Sequence, residues 1–194
     1  MKICGLTGGI GMGKSTAAEF LRQRGLPVVD TDDLAREVVE PGQPALEEIR
    51  RTFGADMLGA DGRLRRRELA QAVFANAALR HQLEVILHPR IRERWLARVE
   101  EWRTAGSTLG VVVIPLLFET KAQSRFHTVL CVACSAASQG RRLLTRGWSA
   151  AEIAQRIEAQ WPAQAKMAAS DYVVWTEGSL QVQAEQWERV LAKL

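Results

Sequence analysis

Residues Gly8-Gly9-Ile10-Gly11-Met12-Gly13-Lys14-Ser15 spell G-x-x-x-x-G-K-[ST]. They follow an apolar run, Ile3–Leu6, and open a helical periodicity through Thr16, Ala17, Phe20 and Leu21 that ends at Gly25. Strand, glycine-rich loop and helix form the context in which this octapeptide binds phosphate. Its glycines let successive backbone N–H groups converge on an anion, and the helix N-terminus adds its dipole. Lys14 then bridges the β- and γ-phosphates of a nucleoside triphosphate, and the Ser15 hydroxyl ligates Mg²⁺. The fixed positions arise by chance in well under about one in a hundred chains of this length. A chain with this loop is constrained to an α/β fold.

Further apolar runs of strand length lie at Leu26–Val29, Val111–Ile114, Val129–Val132 and Tyr172–Val174. Continuous β-branched runs without alternation suit a parallel sheet covered on both faces. The expectation is a P-loop NTPase-like, doubly wound parallel sheet of about five strands. Two intervals do not fit that alternation. Across 33–108 no strand is evident. Leu46, Ile49 and Phe53 share one helical face, as do Leu79, Leu83, Ile86 and Leu87, and then Ile91, Trp95, Val99 and Trp102. Pro41-Gly42, Asp61-Gly62 and His88-Pro89 punctuate the interval, so it reads as an inserted subdomain of several helices, one of them starting just after Pro89. The nucleotide-binding core is then 1–32 with 109–194. Within it, about 135–165 carries Arg141, Arg142, Arg146 and Arg156 and reads as a mobile helical lid. There Ser149 and Glu152 make a capping box opening a helix through Ile153, Ile157 and Trp161, with Gly147 separating it from its predecessor.

Lysine and arginine outnumber acids 26 to 22, with clusters at Arg65–Arg67 and at Arg90, Arg92 and Arg94. This mild basic excess suits a multiply phosphorylated partner. The longest apolar run, Val111–Phe118, is far short of the roughly 20 residues that span a bilayer, so the chain reads as cytoplasmic with no membrane partner. Cys131 and Cys134 spell C-x-x-C, but they end an apolar run and no second pair or nearby histidine completes a metal site. They read as buried strand cysteines.

The only asparagine is Asn76, followed by alanine, so the N-K-x-D segment of a GTPase is missing. The second strand ends in Val29-Asp30-Thr31-Asp32. In a doubly wound sheet the strand ends flank the ligand crevice. One carboxylate there can orient or deprotonate an acceptor hydroxyl while the other organises Mg²⁺ or its waters. Asp33 suits the N-cap of the helix that follows. Arginines on a closing lid would neutralise charge on a transferred phosphoryl group and exclude water. The combination describes a small-molecule kinase. A nucleotide-dependent module holding nucleic acid through Arg65–Arg67 is disfavoured, because Asp30 and Asp32 beside the phosphate site would repel a polyanion.

Over nearly its whole length the sequence resembles the dephospho-coenzyme A kinase family. The likeness is carried by Leu6–Thr16, Val29–Asp32, Ala35-Arg36-Glu37-Val38-Val39-Glu40-Pro41-Gly42, Leu87-His88-Pro89 and Pro115-Leu116-Leu117-Phe118-Glu119. The resemblance implies ATP-dependent phosphorylation of the ribose 3′-hydroxyl of dephospho-coenzyme A, the last step of coenzyme A synthesis, with Mg²⁺ and without nucleic acid. Another nucleoside or nucleotide kinase of similar build is the alternative. The resemblance makes Asp32 the base, Lys14 the phosphate clamp, and Arg142 and Arg146 lid residues near ATP. Gly9, Gly11, Met12, Gly13, Lys14, Ser15 and Thr16 would hold the nucleotide. Asp30, His88, Leu116 and Phe118 would line the acceptor side, and Ser15 with Asp30 would hold the metal. Glu119, with the rest of the 115–119 turn, would line the acceptor side or else only pair with a nearby arginine. Two departures stand out: Thr176 occupies a position where the family usually has asparagine, which would bear on adenine contact, and Val113-Ile114 leave no aspartate before Pro115.

Overall fold

The apolar runs form five strands, β1 (Lys2–Thr7), β2 (Val28–Asp30), β3 (Leu109–Val113), β4 (Thr128–Ala133) and β5 (Tyr172–Trp175). The computed structural model describes the backbone of residues 1–194 and every side chain except those of Phe74 and Ala75. The strands pair in the order β2-β3-β1-β4-β5, and every pairing is parallel. The helices are α1 (Lys14–Gln23), α2 (Thr31–Glu37), α3 (Pro44–Phe53), α4 (Arg66–Ala75), α5 (Ala77–Thr104), α6 (Ala136–Thr145), α7 (Ala150–Glu158), α8 (Ala163–Ala168) and α9 (Leu180–Leu191).

Two compact units emerge, Met1–Asp30 with Glu101–Leu194, and Thr31–Glu100. In the first, Cys4, Leu6, Val111, Val113, Leu130, Val132 and Val174 of the sheet pack with Ala17, Ala18 and Leu21 of α1 and with Trp187 and Val190 of α9. Because β1 is central, the chain leaves it first toward β2 and later toward β4 and β5. The loop after β1 therefore sits where the strand order reverses, the usual ligand position of such sheets. The second unit is helical, and Val38, Val39, Ala45, Ile49, Leu69 and Ile86 form its own core.

These units begin and end earlier than the 33–108 insertion read from sequence. Helix α2 starts at Thr31, the residue after β2, so Asp32 falls in the helical unit instead of the core. At the other end the last turn of α5 belongs to the sheet unit. There Trp102 lies so close to Gly110 that a Cβ on that glycine would be 2.6 Å from the indole Cε3. Asp33 does not cap α2. It lies in the first turn with Asp32 and pairs with Arg36 at 3.6 Å, where negative charge complements the helix dipole.

Pro89 does not divide two helices: α5 runs for 28 residues through it. Proline removes the N–H that would bond the carbonyl of Val85, and the Val85 side chain lies on an exposed face, so water can satisfy that oxygen. Next to the break the Arg90 guanidinium donates to the Ile86 carbonyl at 2.6 Å. Within 135–165, Ser149 and Glu152 form the capping box of α7. The helix ends at Glu158, short of Trp161, because Pro162 disfavours helical backbone at the residue before it.

Trp187, 2% exposed, is the largest side chain buried between α9 and the sheet. Trp187→Ala is expected to cost about 3–5 kcal/mol of stability in urea denaturation of the whole chain. A loss under about 1 kcal/mol would contradict this packing.

Candidate functional site

The site is built on the glycine loop between β1 and α1. Gly8 has φ +148°, and a Cβ there would lie 2.3 Å from the Val132 carbonyl oxygen, so only glycine lets the loop pass this close to β4. Gly13 is the N-cap of α1 in left-handed conformation, φ 96°. It offers no side-chain cap, and no acid stands in the first turn, so the dipole and amide donors of α1 remain suited to an anion. Lys14 arches back over the loop, its Nζ donating to the carbonyls of Gly8 at 2.8 Å and Gly9 at 3.1 Å. Ser15 and Thr16 are exposed on the first turn.

The Met12 side chain is buried against Ala133 and Cys134, with Ala163 and Met167 beside it, so its backbone alone can serve a nucleotide. Its carbonyl accepts from the Thr176 hydroxyl at 2.9 Å. That hydroxyl accepts in turn from Arg142 Nη1 at 2.9 Å. Arg142 Nη2 donates to the Thr176 carbonyl, and Nη1 also reaches the Gly11 carbonyl at 3.5 Å. Thr176, the residue after β5, is therefore a buried bridge to the loop and to Arg142 of α6, and its hydroxyl both donates and accepts within the protein. The neighbouring Glu177 accepts from the Ser135 hydroxyl and N–H and from Trp175 Nε1. The Ser135 hydroxyl, then Ser138, hold its carboxyl down to about 2. Arg146 stands exposed at the C-cap of α6.

The turn at 115–119 is anchored by a lysine that the sequence gives no reason to single out. Lys166 of α8 is fully buried, donating to the Pro115 carbonyl at 2.8 Å and pairing with Glu119 at 2.9 Å. The ion pair of Glu119 is thus made with a lysine and not with the arginine of its alternative reading. Thr7 at the end of β1 also donates to the Pro115 carbonyl, at 3.3 Å. Phe118 is buried and stacks on Trp161, centroids 5.6 Å apart, while Leu116 is half-buried.

Asp30 is half-buried at the carboxyl end of β2, in register with Val113. Asp32, exposed on the first turn of α2, and His88, exposed in the middle of α5, belong to the helical unit. Part of the basic excess is paired: Glu40 meets Arg63 at 2.8 Å and Arg66 at 3.1 Å, and Glu48 meets Arg90 at 2.6 Å. Burial pushes the Cys131 thiol up to about 11. Among the described residues no three His, Cys, Asp or Glu side chains converge on a metal position. Also among them, no helix is long and apolar enough to cross a membrane.

The family model for dephospho-CoA kinase matches residues 2–181. Dephospho-CoA kinase of Bdellovibrio bacteriovorus is 44% identical over 191 residues, covering 98% of this chain and 95% of that protein. The crystal structure of TT1252 from Thermus thermophilus superposes with a TM-score of 0.87 at 36% identity, covering 100% of this chain and 97% of that one. Dephospho-CoA kinase from Campylobacter jejuni shares the fold, with a TM-score of 0.72 at 23% identity over 98% and 96% of the two chains. With a phosphate-binding loop at the centre of its parallel sheet and a family match over most of its length, this chain belongs to the dephospho-CoA kinase family.

Proposed function

We infer that the protein transfers the γ-phosphoryl group of ATP to the ribose 3′-hydroxyl of dephospho-coenzyme A, giving coenzyme A and ADP in the cytoplasm. The observation that carries this reading is the Lys14 ammonium folded over a loop of amides at the start of α1, in a chain that matches the kinase family over residues 2–181. The ribose oxygen forms a bond to the γ-phosphorus as the bond from phosphorus to the bridging β-oxygen breaks. In this reading Asp32 accepts the hydroxyl proton, Lys14 holds the β- and γ-oxygens, and Arg142 with Arg146 faces the charge that develops on the transferred group. Asp30, His88, Leu116 and Phe118 serve the acceptor, Phe118 through the packing of its turn.

Mg²⁺ fits the residues present, because the Ser15 hydroxyl and the Asp30 carboxylate are hard oxygen donors of the kind it prefers. Two donors suffice for an ion that keeps waters and takes phosphate oxygens, and it would supply charge neutralisation there. The loop amides, the dipole of α1 and Lys14 bind and orient the triphosphate independently of it.

The experiment is ADP release from Mg-ATP with dephospho-coenzyme A, against adenosine and AMP as acceptors. Stimulation by dephospho-coenzyme A alone supports the assignment, and stimulation by another acceptor overturns it. Lys14→Ala is expected to lower kcat at least about 10²-fold. Asp32→Asn should lower kcat by about 10²–10⁴-fold while the calorimetric Kd for ATP stays within about threefold, the signature of a lost base. If ATP affinity collapses instead, Asp32 organises the metal.

Thr176→Val keeps the shape but leaves the Met12 carbonyl and Arg142 Nη1 without the bridging hydroxyl. Its expected cost is about 1–3 kcal/mol of stability together with a fall of about tenfold in kcat, and Thr176→Ser should restore both. Unchanged kcat would remove the bridge from the function of Arg142.

A further inference from the structure

Two glutamines from the lid region grip one residue of the phosphate loop. Gln139 of α6, 5% exposed, donates from Nε2 to the Ile10 carbonyl at 2.8 Å. Gln160, in the connection between α7 and α8, accepts from the Ile10 N–H at 3.0 Å through Oε1. The Ile10 N–H belongs to the peptide whose carbonyl is that of Gly9. That carbonyl accepts from Lys14 Nζ at 3.1 Å and from the Met12 N–H at 3.2 Å. A trans peptide is a rigid plane with its N–H and C=O on opposite edges, so holding one edge fixes the direction of the other. Gln160 on one side and Lys14 on the other are thus joined by a single peptide group.

Gln160 is itself held by its neighbours. The Trp161 N–H donates to Glu119 Oε1 at 2.8 Å, and the Trp161 ring stacks on Phe118. The buried Lys166 ties Glu119 and the Pro115 carbonyl together from the same segment. A continuous series of contacts therefore runs from the 115–119 turn through Trp161 and Gln160 to the Gly9–Ile10 peptide and Lys14.

We propose that Gln160 is a positioning residue for phosphoryl transfer: by holding the Gly9–Ile10 peptide it sets the place of the Lys14 ammonium, and through Trp161 it ties that place to the 115–119 turn. This rests on the kinase reading above. Gln160 touches neither of the reacting groups in this account. It acts through one peptide on the residue that does.

The test compares the full chain with Gln160→Met, which has similar length and no acceptor oxygen, and with Gln160→Glu, which keeps an oxygen for the Ile10 N–H. Each is assayed with Mg-ATP and dephospho-coenzyme A, with its melting temperature recorded. The expectation for Gln160→Met is a fall of about tenfold in kcat, the scale of one lost hydrogen bond, with KM for dephospho-coenzyme A and melting temperature unchanged. Gln160→Glu should recover most of kcat, its added charge appearing in KM for ATP. A kcat within twofold of wild type in Gln160→Met overturns the proposal. So does an equal loss in both variants accompanied by a lower melting temperature, because that is the behaviour of a residue that only holds the fold. Wild-type protein is assayed first. Should it transfer nothing to dephospho-coenzyme A, the kinase reading fails, and the Gln160 proposal is judged on calorimetric Mg-ATP affinity alone. There Gln160→Met should weaken binding about tenfold, and unchanged affinity overturns it.

Discussion

The close approach of the glycine loop to β4 is the constraint on which the remainder of the site depends. A side chain at Gly8 would run into the Val132 carbonyl, so the chain can turn there only without one. That turn directs Gly9 to Gly13 outward from the carboxyl end of the central strand and sets the start of α1 behind them. Backbone amides bind phosphate well when they are fixed beforehand, because little reorganisation is then left to the reaction. Much of the surrounding structure serves that fixing. Thr176 holds the Met12 carbonyl, Gln139 and Gln160 hold the two sides of Ile10, and Lys14 bonds the carbonyls of Gly8 and Gly9.

The supports arrive from the far half of the chain. Helix α6 contributes Gln139 and Arg142, the connection between α7 and α8 contributes Gln160, and Thr176 and Glu177 follow directly on the end of β5. Glu177 fastens that end to the first turn of α6 through Ser135, so the arginine of α6 and the loop it faces share one frame. The outer edge of β5 is capped at one residue. Gln186 of α9 accepts from the Trp175 N–H and donates to the Trp175 carbonyl, each at 2.9 Å, occupying backbone groups that an edge strand would otherwise offer to another chain.

What the sequence makes legible and what it hides divide along contact range. The loop is legible because its chemistry lies in eight consecutive residues. The strands are legible because Val111–Val113 or Val129–Val132 have no amphipathic helical alternative. The capping box of α7 is likewise a local pattern. Pro89 misleads because its cost in a helix depends on whether the carbonyl it orphans can reach water, and Val85 faces out. The start of the helical unit at Thr31 escapes notice since strand and helix abut with no connecting loop. Thr176 lies 164 positions from Met12, and Gln160 lies 150 from Ile10, so no periodicity or spacing brings them together. Lys166 is hidden for a different reason: a lone lysine in a short helix reads as solvated, and its burial follows only from the carbonyl and carboxylate that meet it.

The kinase reading stands or falls on which atom receives the phosphoryl group. Phosphorus NMR of the products formed from Mg-ATP and dephospho-coenzyme A tests it directly. One new phosphomonoester resonance is expected, coupled to the ribose proton at the 3′ carbon and equal in amount to the ADP formed. An ester at any other position, or inorganic phosphate appearing in place of an ester, would contradict it.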